Sequence, residues 1–500
     1  MKFKKKIFAV FLIIFLISIV GVSAADTDNA TITSDSESPL LEQDTEANVG
    51  VSSEPVLSND TSGNFSELQM KVLLAPEGST VALDKDYTYD NKSITSGIII
   101  NKNLTIDGNG HTLNGLSKSR IFTILYGEHH NQNVILKNIN FKNGYTDGYG
   151  GAILNFAELK VDNCTFTNNY AYYCGGAINS LGHLTCTNSK FTKNKADGDG
   201  GAIFTFSVKN SFYIYAMLEQ SLNISMQTGF SPEILMQISG LLQVNFTLTY
   251  LTDEISNCVF KSNVANGRGG GAVYAFSHVK ITSSTFTSNK AGEKGGAVFA
   301  NKNLNIAKSK FTGNTASKYG GAVYFKCHGS TGHYEGKKWV SEIEYYTGSI
   351  TGSTFSKNSA SKGGAIYGFK SSSSDKHSAK VSKCTFTANK ATSGRDTYGV
   401  SASGCVYNYL KLTLNSVTIK KSASKLVLTS KLTKGKTLIK GKTITFKFNG
   451  KTYKAKTNSK GIAKVTIKKT ILQKLTVGKN VKYSSKYGSL SVAKKAKVKK

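Results

Sequence analysis

The sequence predicts an all-β protein in which a long solenoid of stacked β-coils precedes a smaller β-sandwich. Three observations carry this prediction: a motif recurring about every 25 residues from Val134 onward, apolar residues alternating before each motif, and a lysine-rich C-terminal segment with turn signals. A fixed period of that length is typical of a solenoid, and alternation is the period of a β-strand. The 48 glycines and 4 prolines in 500 residues argue against both a compact helical protein and a collagen.

The chain begins with the pattern of a secretory signal. Lysines at positions 2 and 4–6 precede an uncharged apolar run over residues 7–20, and small residues follow it. We therefore expect residues 1–24 to be a signal peptide, and the mature protein to be secreted or displayed on the cell surface. An uncleaved membrane anchor is the alternative, although about 14 apolar residues are few for a span that needs ~20. No later stretch is long enough, so the mature chain is not expected to span a membrane.

Residues 25–66 are predicted to be a disordered acidic linker. Residues 25–70 contain 10 acids and neither Lys nor Arg, and they show no apolar periodicity. Asn29, Asn59 and Asn64 lie in glycosylation sequons, but such triplets occur by chance, and we favour an unmodified, solvated linker. The seven cysteines are odd in number and sparse, so we do not expect a disulfide framework.

The recurring motif places Phe, Asn and a Gly pair at fixed distances. In most repeats Asn follows Phe by three positions, and Gly-Gly-Ala-Ile or Gly-Gly-Ala-Val follows after about nine. We expect the Phe side chains to form an inward file, and the Asn amides to hydrogen-bond along the rod axis. We expect a corner with positive φ at the Gly pair. The motif residues are Phe141, Phe166, Phe191, Phe260, Phe286, Phe311, Phe355 and Phe386.

The paired motifs resemble the polymorphic outer-membrane protein repeat. With the signal and the C-terminal domain, the chain resembles the adhesin-like surface proteins of methane-producing archaea. Residues 101–115, NKNLTIDGNGHTLNG, are similar to an early coil of β-helices of the pectin-lyase type. The resemblance covers about residues 70–500. It implies a right-handed parallel β-helix over residues 67–410 and a surface role, and it brings no catalytic residue with it.

Residues 67–75 suit a short amphipathic cap on the open end of the rod. The repeat is interrupted near 207–253, 326–347 and 368–380, and we expect these insertions to loop out at one corner. The first insertion is either a protruding contact module or a small unit that covers the flank of the rod.

The second insertion carries the candidate ligand-contact residues. Aromatic side chains present a large contact area at low entropic cost, although packing within the loop explains them equally well. Cys327, His328, His333 and Glu335 match no strong zinc spacing, so we expect no metal site. No motif predicts a cofactor. The candidate contacts are Tyr334, Trp339, Tyr345 and Tyr346.

An enzyme on the same rod is the alternative function. Asp147 and Asp197 occupy equivalent turns two coils apart, which is roughly 9.6 Å of rise and wide for a catalytic carboxylate pair. Only Arg120, Arg268 and Arg395 could supply the base of a lyase. We therefore expect no catalytic residues, with a polysaccharide lyase or glycoside hydrolase as the competing interpretation.

Residues 411–500 are predicted to form a basic immunoglobulin-like domain. Alternating strands flank the Asn449-Gly450 turn, and a second turn follows over residues 457–461. The segment has 26 lysines and no acid, which we expect to lie on outer faces. Solubility alone is one explanation, and a polyanionic partner is the other. The secretion signal and the lack of a base-reading motif make nucleic acid an unexpected partner.

These features together predict a secreted adhesin-like protein displayed on the cell surface. Its β-helix is the stalk, and its partner is a polyanion of a cell surface or wall, a glycan, or a protein of a host or partner cell.

Overall fold

The structure is a computed structural model that describes residues 62–91, 95–125, 132–209, 249–335, 338–369 and 379–500, with side chains at all of these except 330–342. The expected signal peptide, nearly all of the expected acidic linker and most of the insertions near 207–253 and 368–380 lie outside the described residues.

Parallel strands stack in register along the rod, because neighbouring coils repeat the same residues. Phe166, for example, pairs with Phe141 on one side and with Phe191 on the other. The longest insertion leaves this register intact, since Phe191 pairs with Phe260 across it. The predicted parallel β-helix is thus confirmed. The rod measures about 50 Å along its axis, at ~4.8 Å for each of the eleven strands in one sheet.

The coils form three long sheets, and six of the coils also contribute a strand to one short sheet. We name the sheets by their residues. The Leu/Val sheet contains Thr80–Ala82, Leu104–Asp107, Asn133–Lys137, Glu158–Asp162, Leu184–Thr187, Thr252–Ser256, His278–Thr282, Leu304–Ala307, Gly348–Thr351, Lys380–Ser382 and Ser401–Ser403. The Phe sheet contains Gly63–Asn64, Tyr87–Thr88, Thr112–Asn114, Asn140–Lys142, Thr165–Thr167, Lys190–Thr192, Val259–Lys261, Thr285–Thr287, Lys310–Thr312, Thr354–Ser356, Thr385–Thr387 and Val406–Tyr407.

The other two sheets follow the Phe sheet along each coil. The short sheet contains Tyr145–Thr146, Tyr170–Ala171, Lys195–Ala196, Val264–Ala265, Lys290–Ala291 and Thr315–Ala316. The Gly-Gly sheet, whose strands begin just after the Gly pairs, contains Ile98–Ile100, Phe122–Ile124, Ile153–Asn155, Ile178–Ser180, Ile203–Thr205, Val273–Ala275, Val298–Ala300, Val323–Lys326, Ile366–Phe369 and Thr397–Tyr398.

The Phe file is the centre of the core. All eight motif Phe side chains are fully buried, and consecutive rings stack with centroids 4.5 to 5.3 Å apart. Small residues two positions earlier are buried beneath them, including Cys164, Cys258 and Cys384. All seven cysteines of the chain are free thiols. The inward Phe file and its small neighbours confirm the predicted orientation of the coil.

The Asn residues of the motif form a continuous ladder. The Asn169 amide donates to the Asn194 side-chain oxygen at 2.9 Å, and the same contact repeats from coil to coil as far as Asn389. At Asn389 the ladder ends on the carboxylate of Asp396, which also accepts a hydrogen bond from Tyr409. The predicted axial hydrogen bonding is confirmed, and a carboxylate terminates it.

The two positions of each Gly pair require glycine for different reasons. Gly175 has a φ of +68°, a left-handed conformation that costs glycine little. Gly176 lacks this conformation, but a Cβ there would lie 2.3 Å from the carbonyl oxygen of Gly201 on the next coil. The pair is therefore needed both for the corner and for the close stacking of coils.

A helix, Phe65–Leu74, caps the first coil. Asn64 caps it by accepting from the backbone N–H of Glu67, and Phe65, Leu68 and Val72 face the core. Gln69 receives the N–H of Ile99 at 2.7 Å and donates to its carbonyl at 3.3 Å. The helix thereby occupies the otherwise open edge of the Gly-Gly sheet. The cap begins two residues earlier than expected, and strand Gly63–Asn64 falls within the expected linker.

All three insertions leave the rod at the same corner, between the Gly-Gly sheet and the Leu/Val sheet, which we call the insertion corner. The second insertion forms an antiparallel hairpin of strands His328–Glu335 and Lys338–Tyr345. The ends of the first insertion meet in an antiparallel bridge between Val208 and Tyr250. Each insertion is preceded by a strand of the Gly-Gly sheet and followed by a strand of the Leu/Val sheet, as expected for insertions at a single corner.

The C-terminal unit contains two sheets around its own apolar core. The four-stranded sheet is centred on the long strand Lys425–Lys434. This strand pairs with each of the other three, Leu410–Leu414, Thr437–Leu438 and Ile462–Lys468. The five-stranded sheet has the order Ile419–Lys420, Leu490–Lys499, Asn480–Tyr487, Thr443–Phe448, Lys451–Lys456. A short helix, Lys469–Leu472, connects the sheets. Asn449 and Gly450 both have positive φ and form the predicted hairpin turn.

Candidate functional site

A buried lysine joins two insertions at the insertion corner. The Lys302 side chain is only 5% exposed, and its Nζ lies 2.9 Å from the Glu344 carboxylate at the base of the hairpin. The same Nζ donates to the Tyr346 hydroxyl and lies 4.3 Å from the ring centroids of both Tyr250 and Tyr346. Burial of an ammonium is tolerated here because a carboxylate and two aromatic faces surround it.

Three titratable groups around Lys302 have shifted pKa values. Burial raises the pKa of Glu344, but hydrogen bonds from Lys302 and Tyr346 outweigh it and hold that pKa below its ordinary value. Burial, followed by the hydrogen bond to Glu344, raises the pKa of Tyr346. Burial and then the Lys302 charge lower the pKa of His278, whose Nδ1 accepts from the N–H of Asn303 at 3.1 Å. A neutral His278 beside a fixed ion pair is consistent with anchoring the hairpin.

The hairpin carries an exposed apolar edge above this anchor. Ile343 is 58% exposed and Tyr345 is 47% exposed, although both are residues that a protein usually covers. They occupy alternate positions of one strand, so they lie on one face, while Glu344 between them faces the rod. In the backbone register of the hairpin, Tyr334 pairs with Trp339.

The structure therefore separates the four candidate contact residues. Tyr345 is accessible and remains a candidate. Tyr346 is only 4% exposed and packs against Lys302, so in this structure its ring anchors the hairpin, and a ligand contact there stays a prediction. Tyr334 and Trp339 are a cross-strand pair in the backbone, and their side chains lie outside the described residues.

Sequence reasoning missed an aromatic ladder on the outer face of the Gly-Gly sheet. The rings of Phe204, Tyr274, Phe299, Tyr324 and Tyr367 stack successively at 4.4 to 5.5 Å. Each directly follows the Ile or Val after Gly-Gly-Ala, so the signal was present in the motif. Sequence reasoning also missed Lys302 and Tyr250, because neither residue belongs to the repeated motif.

The two carboxylates considered for catalysis, Asp147 and Asp197, accept hydrogen bonds from neighbouring side chains. Asp147 accepts from the Tyr145 hydroxyl at 2.5 Å. Burial raises the pKa of Asp197, but hydrogen bonds from Lys195 and Tyr170 outweigh it and hold that pKa below its ordinary value. A cavity of about 410 Å³ lies farther along this flank, where its lining includes Asn266, Lys290 and Ser317 but no acidic residue. Among the described residues, the lining of this cavity therefore offers no pair of carboxylates for glycoside hydrolysis.

Among the side chains that the structure describes, no three His, Cys, Asp or Glu residues are grouped so that they could hold a metal ion. The side chains of His333 and Glu335 lie outside that set.

The comparisons with known proteins identify the repeat. Five segments, which together cover 92 residues, match the Chlamydia polymorphic membrane protein repeat: 163–181, 188–205, 283–301, 308–326 and 352–368. No curated protein and no solved structure matches the chain. The chain thus shares a repeat with that membrane-protein family over less than a fifth of its length.

The matched segments correspond to a defined part of the coil. Each begins on a corner residue with left-handed φ, such as Asn163 at +49° or Gly352 at +56°. Each continues through the buried Phe, the ladder Asn and the Gly pair to the Gly-Gly sheet. The family motif is therefore the set of residues that builds corners and axial ladders. In the described part of the chain, no helix has the length and apolar character to cross a membrane.

Proposed function

We propose that this chain is a secreted, surface-displayed adhesin-like protein whose β-helix is a stalk. The repeat that it shares with a polymorphic membrane protein family supports a surface role. The elongated rod supports the stalk interpretation, because its repeated residues stack coil on coil along one axis. Adhesion itself is our inference from the hairpin.

The observation that carries this proposal is the exposed apolar face on an anchored hairpin. A two-stranded hairpin alone is marginally stable in water, so its attachment through Lys302 and Glu344 stabilises a fixed orientation. Ile343 and Tyr345 then stay exposed on the outer side. Aromatic side chains in such a position are typical of contact sites for proteins and sugars.

We further propose that the C-terminal unit is an immunoglobulin-like sandwich that extends the stalk. Its strand order supports this. In one sheet Leu410–Leu414 pairs with Lys425–Lys434, and in the other sheet the last two strands, Asn480–Tyr487 and Leu490–Lys499, pair with each other. A short strand, Ile419–Lys420, crosses to the second sheet and runs parallel to the last strand. The segment has neither Cys nor Trp, so packing of its aliphatic core replaces the disulfide of antibody domains.

The adhesion proposal is tested by truncating the exposed aromatic residue on the hairpin. Beads carrying the mature chain are applied to layers of mucin, heparin and fibronectin, and retention under flow is counted. Tyr345→Ser should reduce retention on at least one layer several-fold, because an exposed aromatic contact is lost. Tyr398→Ser is the matched control, since Tyr398 is 40% exposed but lies on the rod. Equal retention by both variants on every layer that holds the wild type would contradict the proposal.

The enzyme alternative has a separate readout. The mature chain is incubated with polygalacturonate, alginate, hyaluronan and xylan, and unsaturated and reducing sugars are measured. We expect neither to accumulate above a boiled control. Sustained release from any of these polymers would favour the lyase or hydrolase interpretation over the stalk.

A further inference from the structure

The outer side of the five-stranded C-terminal sheet carries a dense array of lysines. On three adjacent strands the outward positions include six exposed lysines, which we call the lysine face: Lys420, Lys482, Lys486, Lys495, Lys497 and Lys499. The inward residues of the same strands, such as Ile419, Tyr483 and Val498, are buried. The alternation therefore sends these six side chains to one surface.

Like charges meet directly on this face. Lys482 is the cross-strand partner of Lys495, and Lys420 is the partner of Lys499. Like charges in directly opposite positions destabilise a sheet. Residues 411–500 contain no Asp or Glu that could offset the repulsion. The arrangement lowers the stability of the free domain.

An anionic partner bound on the lysine face would replace the repulsion between lysines with attraction to the partner. Alternate lysines on one strand are ~6.8 Å apart, and neighbouring strands are ~4.8 Å apart, so the face presents closely spaced charges in two directions. A polymer with an anion on each repeat unit could neutralise several lysines at once. Charge complementarity of this kind also accelerates encounter with the partner.

The other outward residues of these strands indicate which class of polyanion fits the lysine face. Its other outward residues on these strands are Asn480, Ser484, Ser491 and Ala493, so it has no aromatic or large aliphatic side chain. A membrane-binding surface normally inserts such side chains. Single-stranded nucleic acid is bound with aromatic stacking platforms, and base edges are read mostly by arginine, which this domain lacks. Acidic polysaccharide needs only point charges and small polar groups.

We propose that the lysine face is a binding surface for an acidic polysaccharide. This proposal does not depend on the hairpin or on adhesion through Tyr345. It assigns the lysines a partner of defined chemistry, a linear glycan bearing carboxylate or sulfate groups.

The test compares two variants with the same change in net charge. In the full mature chain, Lys482, Lys495, Lys497 and Lys499 are changed to Gln in one protein. In the control, four exposed lysines of the same domain that face no lysine on a neighbouring strand, Lys411, Lys431, Lys436 and Lys464, are changed to Gln. Binding to immobilised heparin and to polygalacturonate is measured between about 50 and 200 mM salt, a range over which charge-driven binding to a polyanion changes strongly.

The face variant should weaken binding to at least one polysaccharide about tenfold or more and flatten its salt dependence, while the control changes binding by less than about threefold. Circular dichroism spectra should be alike in all three proteins. Equal losses in both variants would overturn the proposal in favour of net charge alone. Tighter binding to phosphatidylserine vesicles or duplex DNA than to both polysaccharides, or no polysaccharide binding at the lowest salt, would overturn it as well.

Discussion

In the rod and in the C-terminal domain, identical side chains meet on neighbouring strands, but with opposite energetic consequences. Asn289 accepts from the amide of Asn263 at 3.0 Å and donates to Asn314 at 2.9 Å. An amide is both donor and acceptor, so it complements its own copies. Lys482 also faces a copy, Lys495, but an ammonium group only donates.

This difference separates residues that build the fold from residues that serve another purpose. Phe and Asn recur in the rod because each coil gains from repeating its neighbour. The C-terminal lysines recur although each repetition costs stability, so their recurrence requires a different explanation. Stability measurements on the two units should therefore respond in opposite directions when a recurring residue is removed.

The largest expected effect is the loss of one Phe from the rod. Phe286 is fully buried, with its ring 4.7 Å from both Phe260 and Phe311. Phe286→Ala should lower the free energy of unfolding by about 3 to 5 kcal/mol, because it removes buried area and leaves a cavity. Thermal melting followed by circular dichroism measures the change. Val259→Ala is the control, since Val259 lies in the same sheet but is 38% exposed. Comparable melting of the two variants would mean that the Phe file does not hold the rod.

Much of the rod could be predicted because its contacts are local in the repeat. The 25-residue period puts each Phe, Asn and Gly beside its copy, so one unit determines the next. The C-terminal turns were equally readable, since Asn449-Gly450 favours positive φ at both positions. In these regions local propensity and tertiary packing require the same residues.

The insertion corner could not be predicted in this way. Tyr250, Lys302 and Tyr346 come from three separate coils, and no periodicity relates them. Tyr345 and Tyr346 are adjacent in sequence and both aromatic, yet one is exposed and the other buried. Only the docking of the hairpin on Lys302 distinguishes them. The candidate site therefore depends on contacts that the repeat does not encode.

A smaller effect is expected when a buried charge is removed from the rod. Burial raises the pKa of Asp199 to about 6, so the folded protein holds this proton more tightly than the unfolded chain. Stability should fall as pH rises from about 4 to 6, by about 1 to 2 kcal/mol after allowance for partial exposure. Asp199→Asn should abolish that loss, because an amide oxygen still accepts from the N–H of Gly269. Denaturant titrations at pH 4 and 7 measure it.

Asp197 provides the control of opposite sign. Its pKa lies below the ordinary value, because hydrogen bonds from Lys195 and Tyr170 outweigh burial. The carboxylate therefore stabilises the fold at neutral pH, and this contribution is lost as pH falls through the depressed pKa. Asp197→Asn should destabilise the protein at pH 7, where Asp199→Asn stabilises it. The same sign for both variants at pH 7 would contradict this assignment of their surroundings.

The smallest expected effect is a gain in stability from removing one lysine of an opposed pair. Lys482→Gln should stabilise the C-terminal domain by about 0.2 to 1 kcal/mol at low salt, because Lys495 no longer faces a like charge. The gain should shrink toward 1 M salt, where the Debye length falls to ~3 Å. Hydrogen exchange of peptides from residues 411–500 measures it independently of the rod. Lys486→Gln is the matched control, since the cross-strand partners of Lys486 are Ser491 and Thr445. If both variants stabilise the domain equally, general net charge causes the repulsion, and the opposed pair has no special cost.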